Sequence, residues 1–397
     1  MDMRSFRKHI IYILAMILIS VSFFGCKKQE NTKDEPSDKT LYGYEFKSEL
    51  DIKYAKEYSV SLYEGGMSKI TIGEDEILLF DEGTEIPENI DRKKYIVVKK
   101  PLNSIYNASS STMDYFLYLN EIDRVTMTST KEEDWSVPEI AQRIKDEDIV
   151  YVGKYSSPDF EYILDDGCQL VVENQMILHS PATKEKLEAL GLPVIVERSS
   201  LEEEPLGRLE WIKLYGLLTD KLDAAEGFFA AQVNTLEETK ENIRKEIETD
   251  DTPAPSAVFF YVNSAGIPAV RNPKDYMSKL IKIAGFLYSF DGALEDSGKS
   301  FINIQMEEFF EKASDTDLLI YNASFEDPPK NTAELLAKDK LFGELKAVQE
   351  GNVWCFSIDI FQKPTLMAEV VKEMYILRNC IKTGSEPPEL TYFYRLK

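Results

Sequence analysis

Histidine is nearly absent from this chain: among 397 residues there are only His9 and His179. A bare zinc or manganese site needs several imidazoles together with carboxylates, so none can be built here. Cysteine is also sparse. Cys26, Cys168, Cys355 and Cys380 are far apart and form no CxxC pair, which excludes a zinc knuckle and a disulfide framework. Buried free thiols are expected, with a Cys355–Cys380 bridge left open. Positive charge is in deficit, with 46 Lys and Arg against 70 Asp and Glu and a formal charge of −24. Nucleic acid, which needs clustered cations, is therefore not a partner. Catalytic signatures are missing too, since neither GxSxG nor HExxH occurs. The stretch GALEDSGKS at 292–300 imitates a phosphate loop, but Gly292 and Gly298 are one residue too far apart. It also does not lead straight from a strand into a helix.

The amino terminus carries an address. Arg4, Arg7 and Lys8 precede an apolar run from Ile10 to Phe24, which ends in Gly25-Cys26. A charged start, a short apolar core and a small residue before cysteine make a lipoprotein export signal of residues 1–25, with Cys26 as the lipidated residue. Phe24 departs from that pattern, where a small residue is usual. An uncleaved N-terminal anchor is the alternative, and it too leaves the rest of the chain outside the membrane. Three cations and one acid leave with the signal, taking the formal charge from −24 to −26. Residues 26–50 begin polar and without periodicity, and are expected to form a tether.

The stretch YSVSLYEGGMSKITIGEDEILLFDEG alternates apolar and polar residues around Gly65-Gly66 and Gly73, the pattern of an antiparallel meander. Beyond it strands alternate with helices, which implies parallel sheets with helices on their faces. LNSIYNASSSTMDYFLYLNEIDRVTMTST reads as strand, serine-rich loop, helix and strand, and KEKLEALGLPVIVERSS as helix, glycine stop and strand. The same order returns in PSAVFFYVNSAGIPAVRNPKDYMSKLIKIAGFLYSF. Between these halves, residues 202–251 are almost continuously helical in pattern, with apolar residues in steps of three and four from Leu206 to Ile243. Pro205 suits a first turn, and Thr219-Asp220 offers a stop and a new N-cap. The second piece, 220–247, would be about 40 Å long. The expected fold is α/β, with two Rossmann-like lobes of parallel-rich sheet, 51–219 and 248–397, joined by that backbone helix. Ligands of such sheets sit beyond the carboxyl ends of the strands, so facing lobes make a cleft.

An exported lipoprotein with two α/β lobes and a helical spine resembles the substrate-binding proteins of ABC importers. It is similar to the helical-backbone class that carries iron–siderophores, vitamin B12 or haem. The resemblance covers about residues 54–380 and is carried by NASSSTMDYFLYLNEIDRVTMTS, PLGRLEWIKLYGLLTDK and LLAKDKLFGELKAVQEGNVWCF. It implies a monomeric, lipid-anchored receptor that needs no cofactor, performs no covalent chemistry and hands a metal-chelate or corrinoid-like solute to a permease. It also implies one permease-docking glutamate per lobe at the start of a helix. These positions correspond to Glu161 in SPDFEYIL and to Glu307 in QMEEFFEKA, with Glu308 one register step away.

The cleft candidates are loop residues at strand ends. In the first lobe these are Ser109, Ser110, Ser111, Lys154, Tyr155, Met176, His179 and Arg198; in the second, Asn263, Ser264, Arg271, Asn322, Trp354 and Phe361. Aromatics offer flat apolar area, while Arg and Asn orient polar groups. An acidic protein that aims Arg198 and Arg271 into a cleft would bind an anion, whereas each arginine has an intramolecular ion pair as its alternative. Three other readings stay open at this point: a haem receptor using Tyr155, Met176 or His179 as axial ligand, a surface enzyme on the same scaffold, and an adhesive lipoprotein.

Overall fold

A computed structural model of the chain describes residues 39–292, 299–324, 328–357 and 360–397. The export signal, Cys26, the first part of the expected tether and most of the phosphate-loop imitation lie outside the described residues. The short unit ending at Phe46 contains β1 (Thr40–Leu41) and the start of β2 (Tyr44–Glu49), paired antiparallel with Leu41 opposite Tyr44. This corrects the tether expected over 26–50: from Thr40 the alternation of aromatic with polar residues makes strand.

The unit from Lys47 onward opens with β3 (Tyr58–Tyr63), β4 (Met67–Ile72) and β5 (Asp75–Phe80), an antiparallel meander, and β6 (Tyr95–Lys99) then joins β5 in parallel. The inward side chains Val60, Ile70, Ile72, Ile77 and Leu79 belong to the main core.

The first α/β lobe runs β7 (Ile105–Asn107), α1 (Met113–Tyr118), β8 (Val125–Thr128), α2 (Pro138–Lys145) and β9 (Val150–Tyr151). A hairpin of β10 (Gly153–Lys154) and β11 (Ser157–Pro158) follows, then α3 (Phe160–Asp165), β12 (Leu170–Glu173), α4 (Pro181–Ala189) and β13 (Val194–Val196). Its five-stranded sheet has the order β13-β12-β7-β8-β9 and is parallel throughout. Near-continuous apolar strands such as Leu170-Val171-Val172 reflect burial on both faces.

The spine is three helices, α5 (Pro205–Glu210), α6 (Ile212–Leu218) and the 28-residue α7 (Leu222–Thr249). The stop expected at Thr219-Asp220 has a different mechanism. Thr219 ends α6, Asp220 takes a left-handed backbone (φ 61°), and the residue before α7 is Lys221, whose side chain caps nothing. Gly216 lets the two helices close up, since a Cβ there would lie 2.7 Å from that of Ala225. The start of α7 packs on the first lobe through Phe228 against Tyr118, with ring centroids 4.0 Å apart. Its far end is tied to the last long helix, α12, by Glu246, whose carboxylate takes Arg378 at 2.7 Å and Lys382 at 2.5 Å.

The second lobe runs β14 (Ser256–Val262), β15 (Pro268–Arg271), α8 (Tyr276–Ile283), β16 (Leu287–Tyr288), β17 (Phe301–Asn303), α9 (Met306–Ala313) and β18 (Leu318–Asn322). It ends with α10 (Thr332–Lys338), α11 (Lys346–Gln349), β19 (Val353–Phe356), α12 (Met367–Thr383) and β20 (Phe393–Arg395). Strands β16, β14, β18 and β19 are parallel, while β15 and β20 run against their neighbours. The fold is thus two α/β lobes on one helical spine. Cys168, Cys355 and Cys380 are all free thiols, which closes the question of a Cys355–Cys380 bridge. No described helix is long and apolar enough to cross a membrane.

Candidate functional site

At the carboxyl ends of the first lobe's strands the serine-rich loop is pinned from below. Ser109 Oγ donates to Glu197 Oε1 at 2.9 Å, and the amide of Ser199 donates to Glu197 Oε2 at 2.8 Å. Ser111 Oγ is 3.2 Å from Ser109 Oγ, and Thr112 Oγ1 donates to Asn107 Oδ1 at 2.9 Å. Buried Glu197 is thereby satisfied by two loops, which fixes the strand-end rim with Ser110 half-exposed on it. Glu173, at the end of β12, is the exception. It is fully buried, neither carboxylate oxygen has a well-formed hydrogen bond among the described residues, and burial, partly offset by the nearby Asn174 amide, pushes its carboxyl up to about 8, which favours the protonated form at neutral pH.

The other expected residues fall in distinct places. Tyr155 sits half-buried in the turn between β10 and β11, next to exposed Lys154, and Met176 and His179 are exposed in the short helical turn Gln175–His179. Asn263 Oδ1 accepts from the amides of Ala265 and Ile267, both at 3.0 Å, and so shapes its own turn, leaving Ser264 exposed. Asn322 Oδ1 likewise accepts from Ser324 Oγ at 2.7 Å. Arg198 lies against Gly73 and donates from Nε to Glu57 Oε2 at 2.6 Å. Arg271 is buried, 3.2 Å from Asp275 Oδ1, with its guanidinium 4.1 Å from the centre of the Phe301 ring. Both arginines expected to hold an anion are therefore in ion pairs. Trp354 is the second residue of β19, and its ring lies under Arg395 at 5.1 Å in a groove shared with Glu350, Asn352 and Gly384. That is the amino end of the strand, away from the loops where Phe361 stands exposed. Glu161 and Glu307 occupy the first turns of α3 and α9, and both are exposed.

Residues that the sequence pattern did not single out join the lobes. Gln362 Oε1 accepts from the amide and Oγ of Ser136, both at 2.8 Å, and its Nε2 donates to the Asp134 carbonyl at 2.9 Å. Asp114 Oδ2 accepts from Thr365 Oγ1 at 2.6 Å and from the Thr365 amide at 2.9 Å. Deeper, on α5, Arg208 is only 3% exposed, and its guanidinium lies 4.8 Å from the ring centres of both Tyr276 and Phe361. Among the described residues its Nε and Nη2 reach no acceptor. The one sequence signal for it was an arginine inside an otherwise apolar helical turn.

The surface also has a groove of about 520 Å³ between the Gly65-Gly66 turn and Gly216–Ala224. Its buried cation, Lys100, is already paired with Asp81 at 2.7 Å and Asp220 at 2.5 Å, so it has a structural task. Among the described residues, no three His, Cys, Asp or Glu side chains come together as a metal-holding group.

Comparison with known proteins agrees with this fold. Two uncharacterized lipoproteins of Methanocaldococcus jannaschii are similar along nearly their whole length. One is 24% identical over 391 residues, covering 89% of this chain and 88% of its own; the other is 23% identical over 382 residues, covering 89% and 90%. Among solved structures, a periplasmic heme binding protein from Pseudomonas aeruginosa superposes with a TM-score of 0.55 at 16% identity, over 74% of this chain and 98% of that one. A petrobactin-binding protein of Bacillus subtilis gives 0.55 at 15% identity, over 70% and 92%. Identities this low show a shared fold. The profile of the periplasmic binding protein family matches residues 106–356, from the first strand of one lobe to the fourth parallel strand of the other. The chain belongs to the periplasmic binding protein family.

Proposed function

We propose that this chain is the receptor of an ABC importer and that its solute is an iron–siderophore or a similar metal-chelate or corrinoid compound. Membership of the family makes it an extracytoplasmic solute-binding protein and not an enzyme. The observation that supports the finer reading is a buried cation on the spine, Arg208, without a hydrogen-bond partner for Nε and Nη2 among the described residues and faced by two aromatic rings of the second lobe. The strand-end loops offer the half-exposed hydroxyl of Ser110, with Ser111 buried behind it and Asn263 shaping its own turn, and apolar area at Tyr155, Met176 and Phe361, a mixture suited to a large chelate. Cys26 holds the receptor at the membrane by its lipid. Glu161 and Glu307, exposed on helices that start at the carboxyl side of their sheets, meet arginines of the permease.

A thermal-shift panel of ferric siderophores, cobalamin and haem tests the solute class. A tight binder at a hundredfold excess over its Kd adds about 2.7 kcal/mol of stability, which lifts the midpoint visibly. A panel without any response contradicts the metal-chelate reading, and a Soret band on loading with haem would redirect it to haem. For the permease, charge reversal at Glu161 and Glu307 together should abolish uptake in cells and leave solute affinity unchanged. Unchanged uptake in the double variant would remove the docking role.

A further inference from the structure

Among the described residues, three acids near Arg208 in the chain and Asp275, which precedes its ring partner Tyr276, are each engaged elsewhere. Glu202 accepts from the amides of Lys56 and Glu57 and from Trp211 Nε1, all at 3.0 Å. Glu204, one helical turn before Arg208, reaches across to Lys279 at 2.9 Å. Glu210 holds Lys213 at 2.8 Å and three backbone amides. Asp275 is shared between Arg271 and the Met277 amide. Arg208 is left with aromatic rings alone, and a second guanidinium, that of Arg271, lies 5.5 Å from the same Tyr276 ring. Arg271 Nε is also buried without an acceptor. Of these two buried cations only Arg271 has a carboxylate, Asp275, in a protein with an excess of acids.

A buried guanidinium without hydrogen bonds is costly to the fold, and such a group marks a candidate ligand site. The geometry of the unused donors is specific. Nε–H and Nη2–H lie on one edge of the guanidinium plane, side by side, and that edge matches the two oxygens of a carboxylate. Tyr276 and Phe361 come from the second lobe, while Arg208 belongs to the spine, so a shift of the second lobe against the spine would change the cover over Arg208.

We propose that Arg208 is the anion anchor of the solute site, taking a carboxylate of the solute on its Nε/Nη2 edge while Tyr276 and Phe361 close over it. Arg271 adds positive potential from the far side of the cluster. The proposal rests on the solute-receptor reading and narrows the solute class to carboxylate-bearing anions.

The test uses the processed chain, with ferric citrate, metal-free citrate and an uncharged ferric trihydroxamate as probes, measured by calorimetry and thermal unfolding. Wild type should bind citrate in at least one of its forms. Arg208→Lys, which keeps the charge and loses the fork, should weaken that binding about 10- to 100-fold. Arg208→Met should abolish it while holding or raising the midpoint of the ligand-free protein, a result that a structural arginine could not give. Binding of metal-free citrate alone, dependent on Arg208, would uphold the anchor and overturn the metal-chelate reading. Binding of the trihydroxamate alone, undiminished in Arg208→Met, would overturn the anchor and uphold the chelate reading. No citrate binding to wild type, or a lowered midpoint with binding intact in Arg208→Met, would also overturn the anchor.

Discussion

Arg208 and Glu210 are two residues apart on one helix, equally buried and opposite in circumstance. Glu210 is 0% exposed and gathers the amides of Lys53, Tyr54 and Ala55 and the ammonium of Lys213, with its closest contact 2.7 Å. Among the described residues the Arg208 guanidinium meets rings and no acceptor for Nε and Nη2. Glu202 does the same work as Glu210 one stretch earlier, holding Lys56 and Glu57. Together these two glutamates clamp the segment 53–57, which leads into the meander, onto the spine. The contrast separates two uses of buried charge. A carboxylate that closes a loop is satisfied within the chain, whereas a guanidinium between two lobes is left for something that comes and goes.

Breaking the satisfied side should have the largest effect. Glu210→Ala leaves three backbone donors without their acceptor and Lys213 with the Asp51 carbonyl alone, and should cost about 3–5 kcal/mol in denaturant unfolding. A loss below about 1 kcal/mol would mean that water replaces the carboxylate and that the clamp is not structural.

Glu173 sharpens the comparison, because it is an acid treated as Arg208 is. Its carboxyl is raised to about 8 by burial, so the folded chain holds a proton that the unfolded chain releases near the ordinary carboxylate value. The sign follows: stability falls as pH rises from that value to about 8 and is level beyond it. Glu173→Gln should remove this slope and raise stability at pH 9 by an amount on the order of a few kcal/mol. Unfolding curves from pH 5 to 9 for both proteins decide it, and a mutant with the parental slope would show Glu173 ionised and paired in solution.

The smallest effect belongs to the bridge between the lobes. Gln362→Ala deletes the bonds to Ser136 and Asp134, which are neutral and partly exposed, and should lower stability by about 1–2 kcal/mol. Solute affinity should fall several-fold as the closed form loses its contacts. Unchanged affinity would show that closure does not depend on this bridge.

Much of the fold was legible because it rests on local pattern. Gly65-Gly66 and Gly73 punctuate the meander, and the strand–loop–helix order of both lobes follows from short apolar runs between turn residues. The site was less legible because pairing is a tertiary fact. Arg198 looked available, yet its partner Glu57 comes from 141 residues away. Arg208 was not singled out at all, because its lack of a partner shows only in the fold: Glu204, four residues before it and in reach as a helical ion-pair partner, turns to Lys279. Trp354 has the right composition for a pocket wall and the wrong place in its strand.

The most direct test of the account is a crystal structure of the processed chain with the solute that the panel selects. The account predicts solute between the lobes, a carboxylate within about 3 Å of Arg208 Nε and Nη2, and the rings of Tyr276 and Phe361 beside it. Solute seated elsewhere, with the Arg208 edge still unengaged in the loaded protein, would contradict it.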